Sequence, residues 1–156
     1  MLETRTATAA DAQLISHHRR RMFIDAGRVD DQVLGEMSHH FEPWVAKMIG
    51  EKKYLGWLTC DGDRVVAGLG LLLLDWPPHM LDPQSCHRAY LLNMYVEPEY
   101  RRRKLGSYLI EMALVEARRR AIRVVALHAT EEGRRLYENI GFQPTNEMFH
   151  VEAAEE

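Results

Sequence analysis

The chain has 156 residues, 46% hydrophobic and 28% charged, with a formal net charge of −3. That length predicts one domain over 1–156 with a core of its own, and the charge sign argues against wholesale nucleic-acid binding. Two cysteines, Cys60 and Cys86, without CxxC spacing argue against a disulfide scaffold or zinc cluster, so a reducing cytoplasm is the simplest setting.

The opening MLETRTATAADAQ has no basic segment followed by an apolar one, so no signal peptide is expected. Glu3 to Thr8 reads as a short strand. Thr8 then offers an N-cap to a helix carrying Leu14, Ile15, His18, Met22 and Phe23 at helical spacing, and Gly27 stops it. A second helix is expected from Asp30 to Ile49, where Pro43 predicts a disturbance that would divide it into two pieces. YLGWLTC and RVVAGLGLLLL flank Asp61-Gly62-Asp63, the strongest hairpin signal in the chain. The apolar run Val65 to Leu74 is too short to cross a bilayer and reads as a strand buried on both faces, so no membrane partner is expected.

DWPPHMLDPQSCH reads as a loop by its prolines and polar residues, and Ala89 to Val96 as a strand. Gly106 to Arg120 is an amphipathic helix, and Val124 to Ala129 another buried strand. Thr130 caps a helix through Ile140, with Glu131 and Glu132 at its positive end and Gly141 at its stop. EMFHV is expected to be a last strand. The fold class predicted is α/β (α+β): a single mixed, mostly antiparallel sheet with a central βαβ unit over Ala89 to Ala129 and helices on both faces.

Within that unit, Arg101-Arg102-Arg103-Lys104 lies between a strand and a helix opening near Gly106. Alone, a charge run is a solvated loop. At a helix N-terminus, free N–H groups and the helix dipole make an anion site, and a residue without a β-carbon lets a phosphate approach its backbone. GxxxxGK[ST] is absent, which argues against a nucleoside triphosphatase.

VEPEYRRRKLGSYLIEMAL, followed by LHATEEGRRLYENIGF, resembles the GCN5-related N-acetyltransferases. Their motif runs (Arg or Gln)-x-x-Gly-x-(Gly or Ala) at a strand-to-helix turn. Arg101 takes its first slot, Gly106 its last, and Lys104 stands where the first glycine is usual. A lysine there would still donate its amide with φ negative. The resemblance implies an acetyl-CoA-dependent N-acetyltransferase with no metal, acting on a small-molecule or peptide amine, and by analogy a homodimer. It implies a cleft where the strand before the loop splays from its parallel neighbour. The pantetheine arm would pair there with Met94, Tyr95 and Val96, and the Met94 amide would face the thioester oxygen. Arg101, Arg102, Arg103, Lys104, Leu105, Gly106 and Ser107 would hold the diphosphate. Thr130 and Gly133 match positions near the cofactor arm, and Tyr137 the tyrosine that protonates the departing thiolate. A phenol also suits that task chemically, being a donor at neutral pH. The other reading is a module that binds acyl-CoA without catalysis.

No HExxH occurs, and the pairs His17-His18 and His39-His40 cannot each share a helix face, so no metal site is expected. His128, inside VVALHA, reads as a core histidine. The general base stays open among Asp75, Asp82, His87, Asn93 with a water, Glu97 and His128. Most of Arg19, Arg20 and Arg21 reads as a solvated face, with one of them available for a substrate carboxylate. Trp44 and Trp57 read as core, whereas Trp76 is a candidate for lining the acceptor pocket.

Overall fold

Five strands pair in chain order into one sheet in the computed structural model, which describes residues 1–153. They are β1 (Leu2–Thr6), β2 (Tyr54–Asp61), β3 (Arg64–Asp75), β4 (His87–Val96) and β5 (Val125–Leu127). β1 to β4 are antiparallel neighbours, and β4 and β5 are parallel. The hairpin turns where expected, with Gly62 at φ 60° between β2 and β3. The helix that crosses from β4 to β5, α3 (Leu105–Arg119), completes the expected βαβ unit.

β3 is buried at six successive positions, Val66 to Leu71, because both faces of the sheet are covered. On one face, Leu109, Ile110 and Ala113 of α3 pack on Ala67, Leu69, Leu71, Ala89 and Leu91. On the other, α1 (Ala12–Asp25) and α2 (Asp31–Gly50) pack Ile15, Phe41 and Val45 on Tyr54 and Leu58. No helix among the described residues is long and apolar enough to cross a membrane.

Five local expectations are corrected. α2 is one continuous helix through Pro43. Pro43 and His39, whose carbonyl loses its partner, both lie on the exposed face, where the freed group is open to solvent. The strand at Val124 to Ala129 is shorter than expected and half-buried, and His128 is exposed beyond its end, 5.6 Å from the Tyr90 ring. EMFHV forms no strand. Met148 and Phe149 are adjacent and would point to opposite faces, so a strand here needs cover on both sides; both are exposed instead. Trp44 is 37% exposed at the surface of α2, while Trp57 is core as expected.

The last helix, α4 (Glu131–Ile140), follows its sequence signals. Thr130 Oγ1 accepts the Gly133 N–H, and Gly141 takes φ 114° at the stop.

Candidate functional site

The site begins with an irregularity in β4. Gly68 pairs with Tyr95 and Gly70 with Leu92, so β4 carries one more residue than β3 across this stretch. That extra residue is a β-bulge, and Asn93 in it adopts φ 57°, a left-handed conformation that asparagine tolerates better than most residues. The bulge redirects the strand's hydrogen-bonding groups. Ala89 donates to Val124 O on the β5 side, whereas Glu97 donates to Val66 O on the β3 side. Alternation back from Glu97 turns Tyr95 to β3 and leaves Met94 and Val96 facing away from it. β5 pairs only as far as Leu91 with Leu127, so β4 runs on to Val96 beside an open wedge. Backbone groups of Met94 and Val96 face that wedge.

Past the wedge, a short 3-10 turn (Pro98–Tyr100) leads into the basic loop. Its four cations divide. The Arg101 guanidinium bridges two elements, donating through Nε to Val96 O at 2.9 Å and through NH2 to Asp25 at the end of α1 at 2.6 Å. Arg103 lies over the Tyr100 ring, 5.0 Å from its centroid. Arg102 and Lys104 form no salt bridge among the described residues. Both have positive φ, 62° and 63°. Lys104 therefore does not meet the condition of a negative φ; it takes a left-handed conformation that glycine adopts without steric cost. Alternating backbone hand through such a loop turns successive N–H groups to one side, as in anion-binding nests.

α3 starts uncapped. Lys104 gives no side-chain cap and the first turn holds no acidic residue, so the leading N–H groups, at Leu105, Gly106 and Ser107, have no capping acceptor. α2 and α4 differ, since Asp30 caps the one and Thr130 the other. A β-carbon on Gly106 would lie 3.3 Å from Leu136 and 3.9 Å from Met94 Cε. Gly106 thus marks where β4, the α3 N-terminus and α4 converge.

On α4, side chains lean toward the helix N-terminus, so Tyr137 lies back over Gly133. A β-carbon on Gly133 would stand 3.4 Å from the Tyr137 ring and 3.1 Å from Thr130 Oγ1. Phe142 meets the ring edge-on at 5.8 Å. Burial pushes the Tyr137 phenol above its ordinary pKa. Thr130 Oγ1 is engaged in its cap, leaving its hydroxyl proton for any further contact.

The opposite side of the bulge holds a buried polar group that the sequence reading left unconnected. Asn93 is 3% exposed; its Nδ2 donates to Tyr54 Oη at 3.0 Å and its Oδ1 accepts from Arg19 at 2.8 Å. Tyr54 reaches it across β3, where Gly70 has no side chain to obstruct the ring. Gly68 gives similar room to His18, which is buried against Tyr95 with ring centroids 4.9 Å apart. Burial pushes Tyr54 up to about 12 and His18 down to about 4. A cavity of ≈ 10 Å³, about one water's space, lies among His18, Tyr54, Gly68 and Asn93. The glycine pair in VVAGLGLLLL was the available signal, because glycine inside a strand marks close approach by another group.

The general-base candidates scatter. Asp75 and His87 are exposed, Asp82 is buried within its own loop, and Glu97 faces Arg64 and Tyr95. Asn93 already makes one hydrogen bond from each amide atom. Trp76 lies under the Arg88 guanidinium, 4.2 Å away.

The family model described as "Acetyltransferase (GNAT) family" matches residues 12–142. A search of curated proteins finds no match. Among solved structures, a GCN5-related N-acetyltransferase from Ralstonia eutropha JMP134 is 38% identical, with 99% of this chain and 100% of that one covered and a TM-score of 0.94. A predicted acetyltransferase from Clostridium acetobutylicum, solved with acetyl-CoA, is 24% identical over 97% of this chain and 96% of that one, TM-score 0.89. An aminoglycoside 6′-N-acetyltransferase from Acinetobacter haemolyticus, at 17% identity over 99% of each chain and TM-score 0.72, shares the fold.

Proposed function

The chain belongs to the GNAT acetyltransferase family, and on that premise we propose that it moves the acetyl group of acetyl-CoA to a primary amine. The observation that carries this reading is the open wedge between β4 and β5, bordered by the Met94 and Val96 backbone and ending at the uncapped start of α3. The fit to acetyl-CoA rests on those same features: an extended arm finds strand backbone that β5 does not pair, and a diphosphate finds helix N–H groups without a capping side chain. The Clostridium acetobutylicum protein of the same fold was solved with acetyl-CoA.

Acetyl-CoA supplies the activated thioester. The amides of Lys104, Leu105, Gly106 and Ser107 hold the diphosphate, with the Arg102 side chain beside them; Arg101 and Arg103 shape the loop rather than grip. The Met94 N–H points to the carbonyl oxygen, where a fixed donor is worth most as negative charge develops. Thr130 and Gly133 set the entry of α4. As the amine nitrogen bonds to the acetyl carbon and the carbon–sulfur bond breaks, Tyr137 donates its proton to the leaving sulfur, and the proton shed by the amine passes through water and restores the phenol. A phenol is neutral at pH 7 and has a proton to give.

The test has two readouts. Acetyl-CoA raises the melting temperature by mass action, and amines release free thiol from it. Tyr137→Phe lowers kcat at least about tenfold while leaving the acetyl-CoA shift in place. A shift without thiol release from any amine would favour the non-catalytic binding module; no shift at saturating acetyl-CoA would overturn both.

A further inference from the structure

Arg19, Arg20 and Arg21 follow one another on α1, yet they are treated differently. Arg20 pairs with Asp31, and Arg21 lies 4.0 Å from Asp25. Arg19 has no acidic partner among the described residues and turns inward instead. Its guanidinium sits between the Phe23 and Phe41 rings, 5.1 and 4.9 Å from their centroids. One NH group reaches Asn93 Oδ1 at 2.8 Å, and its Nε is buried without a partner among the described residues. Burial works against the charge, and the side chain that receives its hydrogen bond, Asn93, is neutral. A half-buried cation with a neutral partner and unused donors is an incomplete arrangement, because guanidinium has five N–H groups and favours a bidentate anion.

The position of this cation gives the incompleteness a use. Asn93 precedes Met94, whose N–H faces the wedge, and Arg19 approaches the bulge from the α1–α2 side. A group held by Arg19 therefore meets the reaction centre across β4 from α3. We propose that Arg19 grips a carboxylate on the acceptor, so that the amine acetylated belongs to a free amino acid. This rests on the acetyl-transfer reading above and specifies its substrate class. The two aromatic faces fix the plane of the guanidinium, so that its remaining fork is oriented before the carboxylate arrives.

The alternative role for Arg19 is a strut that only holds Asn93, and the two separate on substrate choice. The assay compares the standard amino acids and ornithine, each beside its primary amide, which keeps the amine but removes the negative charge. Thiol release is measured with the intact protein and acetyl-CoA, and equilibrium binding of the same compounds by calorimetry on the CoA-loaded protein. At least one acid is expected to exceed its amide about tenfold or more in kcat/KM. Arg19→Met abolishes that preference through KM, with the acetyl-CoA thermal shift unchanged. Arg19→Lys, which keeps charge but not the fork, retains part of it.

Thiol release that favours the amides, or an acid preference that survives in Arg19→Met, overturns the carboxylate grip and leaves acetyl transfer standing. Arg19→Met lowering kcat equally for acids and amides assigns the strut and likewise overturns it. If no compound releases thiol, calorimetry decides alone. Acids that bind the wild type but not Arg19→Met uphold the grip while acetyl transfer falls, and no acid binding overturns the grip as well.

Discussion

Lys104 carries a β-carbon through a left-handed turn at the residue that opens α3. That backbone costs an L-residue roughly 1–2 kcal/mol, and glycine avoids most of the cost. Lys104→Gly is expected to stabilise the fold by up to about 1 kcal/mol, a rise of about 2–4 °C in melting temperature for a chain of this size. Acetyl-CoA affinity should hold within a few-fold, since the N–H groups at the start of α3 keep their aim. A tenfold loss of affinity would instead assign the gripping role to the Lys104 ammonium. The sequence displayed the departure from the glycine slot but not its geometry. Local steric preference predicts a negative φ for lysine; the strand-to-helix turn overrules it, and that turn depends on how α3 packs against the sheet.

At the scale of elements, the glycines of β3 decide how α1 and β2 meet the bulge. A β-carbon on Gly70 would lie 2.1 Å from Tyr54 Oη and 2.2 Å from its ring carbon, so the ring must leave. Gly70→Ala is expected to cost about 3 kcal/mol in denaturant unfolding and to break the Tyr54–Asn93 hydrogen bond. Gly68→Ala meets Leu58 at 3.0 Å and His18 at 3.3 Å, a milder conflict expected to cost about 1 kcal/mol. Combining Gly70→Ala with Tyr54→Leu should recover part of the loss, because the two residues share one space. Equal destabilisation by both alanines would show that the Tyr54 crossing is not what Gly70 permits.

The same elements show where the sequence was legible. Asp61-Gly62-Asp63, the Thr130 cap and the Gly141 stop are local signals, and each sits where its chemistry predicts. The helix across Pro43 and the missing strand at EMFHV turned on exposure and on which neighbours are present, which a single stretch of chain does not encode. The basic loop was legible as a candidate site because its neighbours in sequence are its neighbours in space. The group of Arg19, Tyr54 and Asn93 was not, since it joins residues 39 and 74 positions apart through a bulge that no local pattern announces.

Over the whole molecule, the buried His18 and Tyr54 set a pH window for stability. His18 is neutral in the fold, held down to about pH 4 by burial and by the adjacent His17, with Tyr95 against its ring. In the unfolded chain it takes a proton near pH 6.5, so the unfolded state binds more protons between 6.5 and 4 and stability falls as pH drops through that range. The whole span corresponds to about 3 kcal/mol. Asp11 and Glu116, both held low by arginines, lose their contribution only below the ordinary carboxylate range, so the decline from pH 6.5 to 5 belongs chiefly to His18. Tyr54 acts at the other end. Its buried phenol is pushed up to about 12, so above pH 10 the unfolded chain releases a proton the fold retains, and stability falls as pH rises. Urea midpoints measured from pH 4 to 11 should give a plateau between about 6.5 and 10 with a decline on each side. His18→Phe keeps an aromatic ring beside Tyr95 and should flatten the decline between pH 6.5 and 5 without moving the alkaline limb. An acid decline that His18→Phe leaves unchanged would place the proton uptake elsewhere and remove His18 as the group that ties α1 to the sheet in a pH-dependent way.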